Sequence, residues 1–119
     1  MAESLLILVT KPPYGFEEAF AGLRAGLGML ASGQVPVSNA LLVGEGTLNA
    51  VAAQRPEAIS MPSNPEAIND LLDFEAHVYV VREDLLKVAG DVPLLEGVEV
   101  IDWDRARQII AEHDLITTF

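Results

Sequence analysis

The chain has 119 residues, half of them hydrophobic and 21% charged, which gives enough apolar surface for one packed core and too little length for a second. Seven Lys and Arg against 18 Asp and Glu leave a net charge of −11, which repels a phosphate backbone and argues against nucleic acid as a partner. The chain has no cysteine, so disulfides, thiolate nucleophiles, Cys-ligated metals and the carriage of sulfur as a persulfide are excluded together.

The run Ser4 to Thr10 is apolar and predicts a buried strand. It is far shorter than the roughly 20 residues of a membrane helix. Glu3 precedes it and no small-residue cleavage site follows, so neither a membrane span nor a secretory signal is expected, and the protein is placed in the cytoplasm. The strand stops at Lys11-Pro12-Pro13-Tyr14-Gly15, where two prolines and a glycine break regular structure. From Phe16 to Ala31, apolar residues at Phe16, Ala19, Phe20, Leu23, Leu27 and Leu30 follow the helical period, with Glu17 and Glu18 at the positive end. Gly22, Gly26 and Gly28 weaken that helix, which suggests close approach to the sheet or to another helix.

Asn39 to Val43 predicts a second strand ending at Gly44-Glu45-Gly46, after which Thr47 is placed to cap a brief helix through Ala53. Residues from Gln54 to Pro65 read as a loop, and Ser63-Asn64-Pro65-Glu66 as the start of a helix through Leu72. A third strand at His77 to Val81 follows, then a short helix from Glu83 to Ala89 closed by Gly90, and a fourth strand at Val98 to Ile101. Asp102 caps a helix from Trp103 to Glu112, and Leu115 to Phe119 is a last strand. Apolar strands alternating with helices predict one α/β domain over residues 1–119, with a three-layer α/β/α arrangement around a mainly parallel five-stranded sheet.

Open parallel sheets hold ligands at the carboxyl ends of their strands, so Lys11, Tyr14, Gly44 and Gly46 are the candidate ligand-binding residues. Their setting is not a phosphate-binding one, because proline removes backbone donors and Glu45 opposes an anion. His77 and His113, the only histidines, lack convergent carboxylates at ligand spacing, so no metal is expected. His113 is read instead as a partner for the last carbonyls of its helix. The serines lack a nucleophile-elbow context, and no catalytic residue is assigned. Asp70, Asp73, Glu75, Glu83 and Asp84 cluster in sequence, as solvated helix faces or as a docking patch for a basic partner. Trp103, Phe74 and Phe119 add apolar area that a subunit interface can use.

Several strings in this order resemble the DsrE-like proteins, and within them the DsrF/TusC subunits of the DsrEFH and TusBCD sulfur-relay complexes. They are the first strand with its proline loop and Gly15, Leu23-Arg24-Ala25-Gly26-Leu27-Gly28-Met29-Leu30, Ala40-Leu41-Leu42-Val43-Gly44-Glu45-Gly46, Asp73 to Val81, and Glu112 to Phe119. In the DsrE/TusD members a cysteine after the third strand carries the persulfide, and DsrH/TusB subunits place one near the C-terminus. The matching stretches here, Val80 to Leu85 and the tail to Phe119, contain none. Some TusC-like members have cysteines in the third strand, where this chain has His77 and Val80. The resemblance therefore implies an accessory subunit without a cofactor, in a homo-oligomer or a hetero-oligomer with cysteine-bearing DsrE-like paralogues. The alternative is a stand-alone DsrE-like protein that holds a small ligand at the strand carboxyl ends.

Overall fold

The computed structural model of the chain describes residues 3–13, 17–52, 54 and 63–119. Five strands form one sheet: β1 (Ser4–Val9), β2 (Val37–Leu42), β3 (Val78–Val81), β4 (Glu99–Ile101) and β5 (Leu115–Thr118). Four α-helices connect them: α1 (Glu18–Ala31), α2 (Asn64–Asp73), α3 (Arg82–Val88) and α4 (Trp103–Glu112). The strands lie in the order β4-β3-β2-β1-β5, and every neighbouring pair is parallel.

That order decides where the helices go. The steps from β1 to β2, β3 and β4 all move in one direction, and right-handed crossovers then place α1, α2 and α3 on one face. The final step returns past β1 to β5, the direction reverses, and α4 falls on the opposite face. Two cores result. Leu5, Ile7, Val9, Ala40, Leu42, Val78 and Val80 pack under Ala19, Leu23, Ile68, Leu71 and Leu85 of the three-helix layer. On the other face Leu6, Leu41, Tyr79 and Val81 pack against Ala106 and Ile109 of α4. A strand with both faces covered must be apolar at successive positions, which is why β1 and β3 lack the alternation of a half-exposed strand.

The α1 glycines have two different explanations. A Cβ on Gly22 would enter the Phe119 ring, and one on Gly26 would press on Ile7, so both mark places where the helix backbone sits directly on its neighbours. Gly28 faces open space. The expected helix after β2 is instead a 3-10 segment, Gly44–Ala50, that starts three residues before Thr47. Thr47 lies inside it and donates its hydroxyl to the Gly44 carbonyl, so it satisfies the first turn from within instead of capping it. The segment is tied to the α3–β4 connection through Leu95 N–H to Ala50 O and Ala52 N–H to Pro93 O. In α2, Ser63 is the N-cap, accepting from Glu66 N–H at 3.2 Å, with Pro65 in the first turn. Asp102 caps α4 through Arg105 N–H.

Among the described residues, no helix is long and apolar enough to cross a membrane.

Candidate functional site

The carboxyl ends of the strands gather polar groups from segments distant in sequence. Asn49, fully buried in the 3-10 segment, donates through Nδ2 to the carbonyls of Lys11 (3.0 Å) and Gly46 (2.8 Å). Its Oδ1 accepts from Nδ2 of Asn64, which is also buried, at 2.5 Å. The backbone carbonyls of Asn49 and Val51 are in turn bound by Gln54 Nε2. One amide thus fastens the loop after β1 to the turn after β2 and to the start of α2. Asn64 Oδ1 has no donor among the described residues, so this neutral well retains one unused acceptor.

Beside it a carboxylate joins three elements. Asp84 at the start of α3 accepts the Gly44 N–H at 2.7 Å and the Trp103 indole N–H at 3.1 Å, while Glu83 accepts the backbone N–H of Trp103. Gly44 adopts a φ of +54°, the left-handed region in which a residue without Cβ is least strained.

The candidate residues read from the sequence therefore divide. Lys11 and Gly46 meet through Asn49. Gly44 belongs to the carboxylate network, its N–H already satisfied by Asp84. The Gly46 N–H donates to Val43 O at 2.8 Å, and a Cβ there would run into the Val9 carbonyl, so this glycine is required by packing. Lys11 is exposed, and Tyr14 lies outside the described residues. The fold's reversal point, between β1 and β5, is closed by the chain itself: Phe119 O accepts from both the backbone and the hydroxyl of Thr10.

At the amino ends of the strands the chemistry is different. Buried Asn39 accepts the His77 N–H at 2.8 Å and places its Nδ2 3.0 Å from Nε2 of His113. His113 Nδ1 lies 2.6 Å from the Ile109 carbonyl, the helix-end contact expected of it. That geometry fits the tautomer with the proton on Nδ1, donating to Ile109, and Nε2 accepting from Asn39. His77 lies 2.6 Å from Glu99 and stacks on Tyr79, with ring centroids 5.6 Å apart. Burial, and then the nearby Glu99, push the Tyr79 phenol above its ordinary value of 10.0; Glu112 adds to this and Arg105 opposes it. A cavity of about 250 Å³ opens at this end between α1 and the α2–β3 turn, lined by Leu30, Val37, Phe74 and Glu75 among others.

The acidic residues that cluster in sequence do not form one patch. Asp73 and Glu75 precede β3 and Glu83 and Asp84 follow it, which puts them at opposite ends of a buried strand. Asp70 pairs with Arg24 of α1 at 3.5 Å. Among the described residues, no group of three or more His, Asp or Glu side chains converges on a position for a metal ion.

The Asn49–Asn64 contact and the Gly44–Asp84–Trp103 chain are absent from the sequence reading. Asn64 was visible only as part of a helix start, and Asp84 only as one carboxylate in a run. The partners are 15, 40 and 19 residues apart, and no local pattern signals such pairings.

A parallel five-stranded sheet with α1, α2 and α3 on one face and α4 on the other, and a polar floor at the strand carboxyl ends, defines an α/β protein of the DsrE-like fold. The profile of the DsrE/DsrF-like family matches residues 3–119, and the chain belongs to that family. The ychN protein from E. coli has the same fold, with a TM-score of 0.84 at 18% sequence identity over the full length of both chains. No curated protein matches the chain by sequence.

Proposed function

We propose that this chain is a cysteine-free, non-catalytic subunit of the DsrF/TusC kind in a sulfur-relay assembly, acting through its interfaces with a cysteine-bearing DsrE-like partner. The observation that carries the reading is the combination of DsrE/DsrF-like family membership with the absence of any thiol in the chain. Sulfane sulfur is accepted and released by a thiolate, and none of the side chains present replaces it. The surface supports a role in contact: Phe74, Leu86, Leu115 and Ile116 are large apolar residues left substantially exposed.

The test is to mix the purified chain with a cysteine-bearing DsrE-like protein, resolve the species by mass, and load persulfide onto the mixture. The expected result is a stable complex in which sulfur is found on the partner alone. Covalent sulfane sulfur on this chain, or no association at all, would overturn the reading.

A second reading, a small-ligand site at the strand carboxyl ends near Lys11, Tyr14, Gly44 and Gly46, has one observation in its favour. Among the described residues, Asn64 Oδ1 is a buried acceptor without a donor, two hydrogen bonds away from the Lys11 carbonyl. A ligand that fills this need raises the melting temperature of the wild type by mass action and does not do so for Asn64→Ala.

A further inference from the structure

The two edges of the sheet are treated unlike each other. The β4 edge carries Glu99, with Glu96 and Asp102 flanking the strand, and such charges discourage pairing with another strand. The β5 edge is the uncharged run Leu115-Ile116-Thr117-Thr118, exposed at all four residues and without a proline, lysine or glycine to blunt it. In a chain of net charge −11, this run carries no side-chain charge, so a second acidic copy can approach it without setting side-chain carboxylates against each other.

The backbone directions fix how that approach works. Phe119 gives its N–H to Leu8 O and takes Thr10 N–H on its own carbonyl, so its backbone groups face β1. Alternate residues of a strand direct these groups to opposite edges, so Leu115 and Thr117 also face β1, while Ile116 and Thr118 present theirs to the open side. We infer that this edge pairs antiparallel with β5 of a second copy, about a two-fold axis through Thr117, to give a continuous ten-stranded sheet.

The register follows from charge and side-chain type. Centring on Thr117 sets Ile116 opposite Thr118 of the second copy, and these two exchange N–H and C=O reciprocally on each side of the axis. Leu115 then lies opposite Phe119 on the face of α1, an apolar pair, and the two Thr117 residues meet at the axis. Asp114 stays outside the paired segment in this register. A one-residue shift of the centre toward Ile116 would bring it in. The contact is isologous, so it closes at two copies instead of propagating. It goes beyond the subunit role proposed above and does not require a cysteine-bearing partner.

The test measures the mass of the full chain in solution against concentration, for the wild type and for Thr117→Lys, which sets two ammonium groups against each other at the axis. Thr117 is exposed and its backbone bonds to β1 are unaffected by the change of side chain. The expected result is a dimer, or an assembly containing an even number of copies, whose dissociation constant rises at least tenfold in Thr117→Lys. Ile116→Lys should weaken it similarly, and Glu99→Lys on the opposite edge should leave it unchanged. Amide exchange gives a second readout, with the Ile116 and Thr118 N–H groups protected at high protein concentration and open at low. A wild type that stays monomeric up to high concentration, or a folded Thr117→Lys that dimerises as well as wild type, overturns the inference. A monomeric chain that still binds a cysteine-bearing DsrE-like protein would remove the β5 pairing and leave the subunit reading standing.

Discussion

The two ends of the sheet use polar residues in opposite ways. At the carboxyl ends the groups that hold the fold together are neutral amides sealed from water, Asn49 and Asn64, with the Asp84 carboxylate fixed beside them. At the amino ends the ring of His77 and the carboxylate of Glu99 are about half exposed, while Ser38, Asn39 and Tyr79 are buried. Buried polar atoms have no water to fall back on, so losing a partner there costs the full desolvation of what is left behind. Exposed ion pairs exchange one solvated arrangement for another and contribute little. The difference implies a carboxyl end sensitive to substitution and an amino end sensitive mainly to pH.

Substitutions at the carboxyl end should have the largest effects. Gly46→Ala drives a methyl group into the Val9 carbonyl, which the backbone can relieve only by moving the turn off β1; a loss of about 3 kcal/mol or more is expected in urea unfolding. Asn49→Ala strips the carbonyls of Lys11 and Gly46 and the amide of Asn64 of their partner, for a loss of about 2–3 kcal/mol. A wild-type stability in that variant would show that water enters the well and that the two ends are not so unlike.

Asp84→Asn comes next. It keeps the shape but removes the charge that accepts two donors, so a loss of about 1–2 kcal/mol is expected, with a change in Trp103 fluorescence because the indole N–H loses a carboxylate partner.

The amino end should respond to pH. Tyr79 holds its proton more tightly in the folded chain than in the unfolded one, so the unfolded state releases it first and stability falls as pH rises through and above 10.0. Below that value both states are protonated and the contribution is fully present. Tyr79→Phe should flatten the stability profile in that alkaline range and leave it unchanged near neutrality. Glu99→Gln is the smallest change of the series, within about 0.5 kcal/mol of wild type because its pair with His77 is exposed. A larger loss would mean that this cluster is more than a solvated ion pair.

Much of the fold was legible because it rests on local patterns. The apolar runs of β1 and β3 and the helical spacing of Ala19 and Leu23 report burial directly, since a covered strand and a one-faced helix each leave a fixed period in the sequence. Ser63 and Asp102 were readable as caps, because a helix start leaves donors that only a nearby side chain can reach. The turn after β2 was read less well. Thr47 looks like a cap by type and position, but the bond that Gly46 N–H makes to Val43 begins the segment earlier. The candidate site was legible only as a location. Lys11, Gly44 and Gly46 do stand at the strand carboxyl ends, but what their backbone groups bind depends on Asn49 and Asp84, which nothing local points to.

The sequence by itself determined that the chain carries no thiol, that its charge is strongly acidic and that its strands and helices alternate, because each of these is a property of residues or of short windows. The tertiary structure alone decided the strand order β4-β3-β2-β1-β5, and with it the reversal that puts α4 on the face opposite α1, α2 and α3 and leaves β5 as an exposed edge. It also decided which buried amides meet. Those outcomes are set by crossover direction and by contacts between residues far apart in the chain, and they arise only when the whole sheet has been assembled.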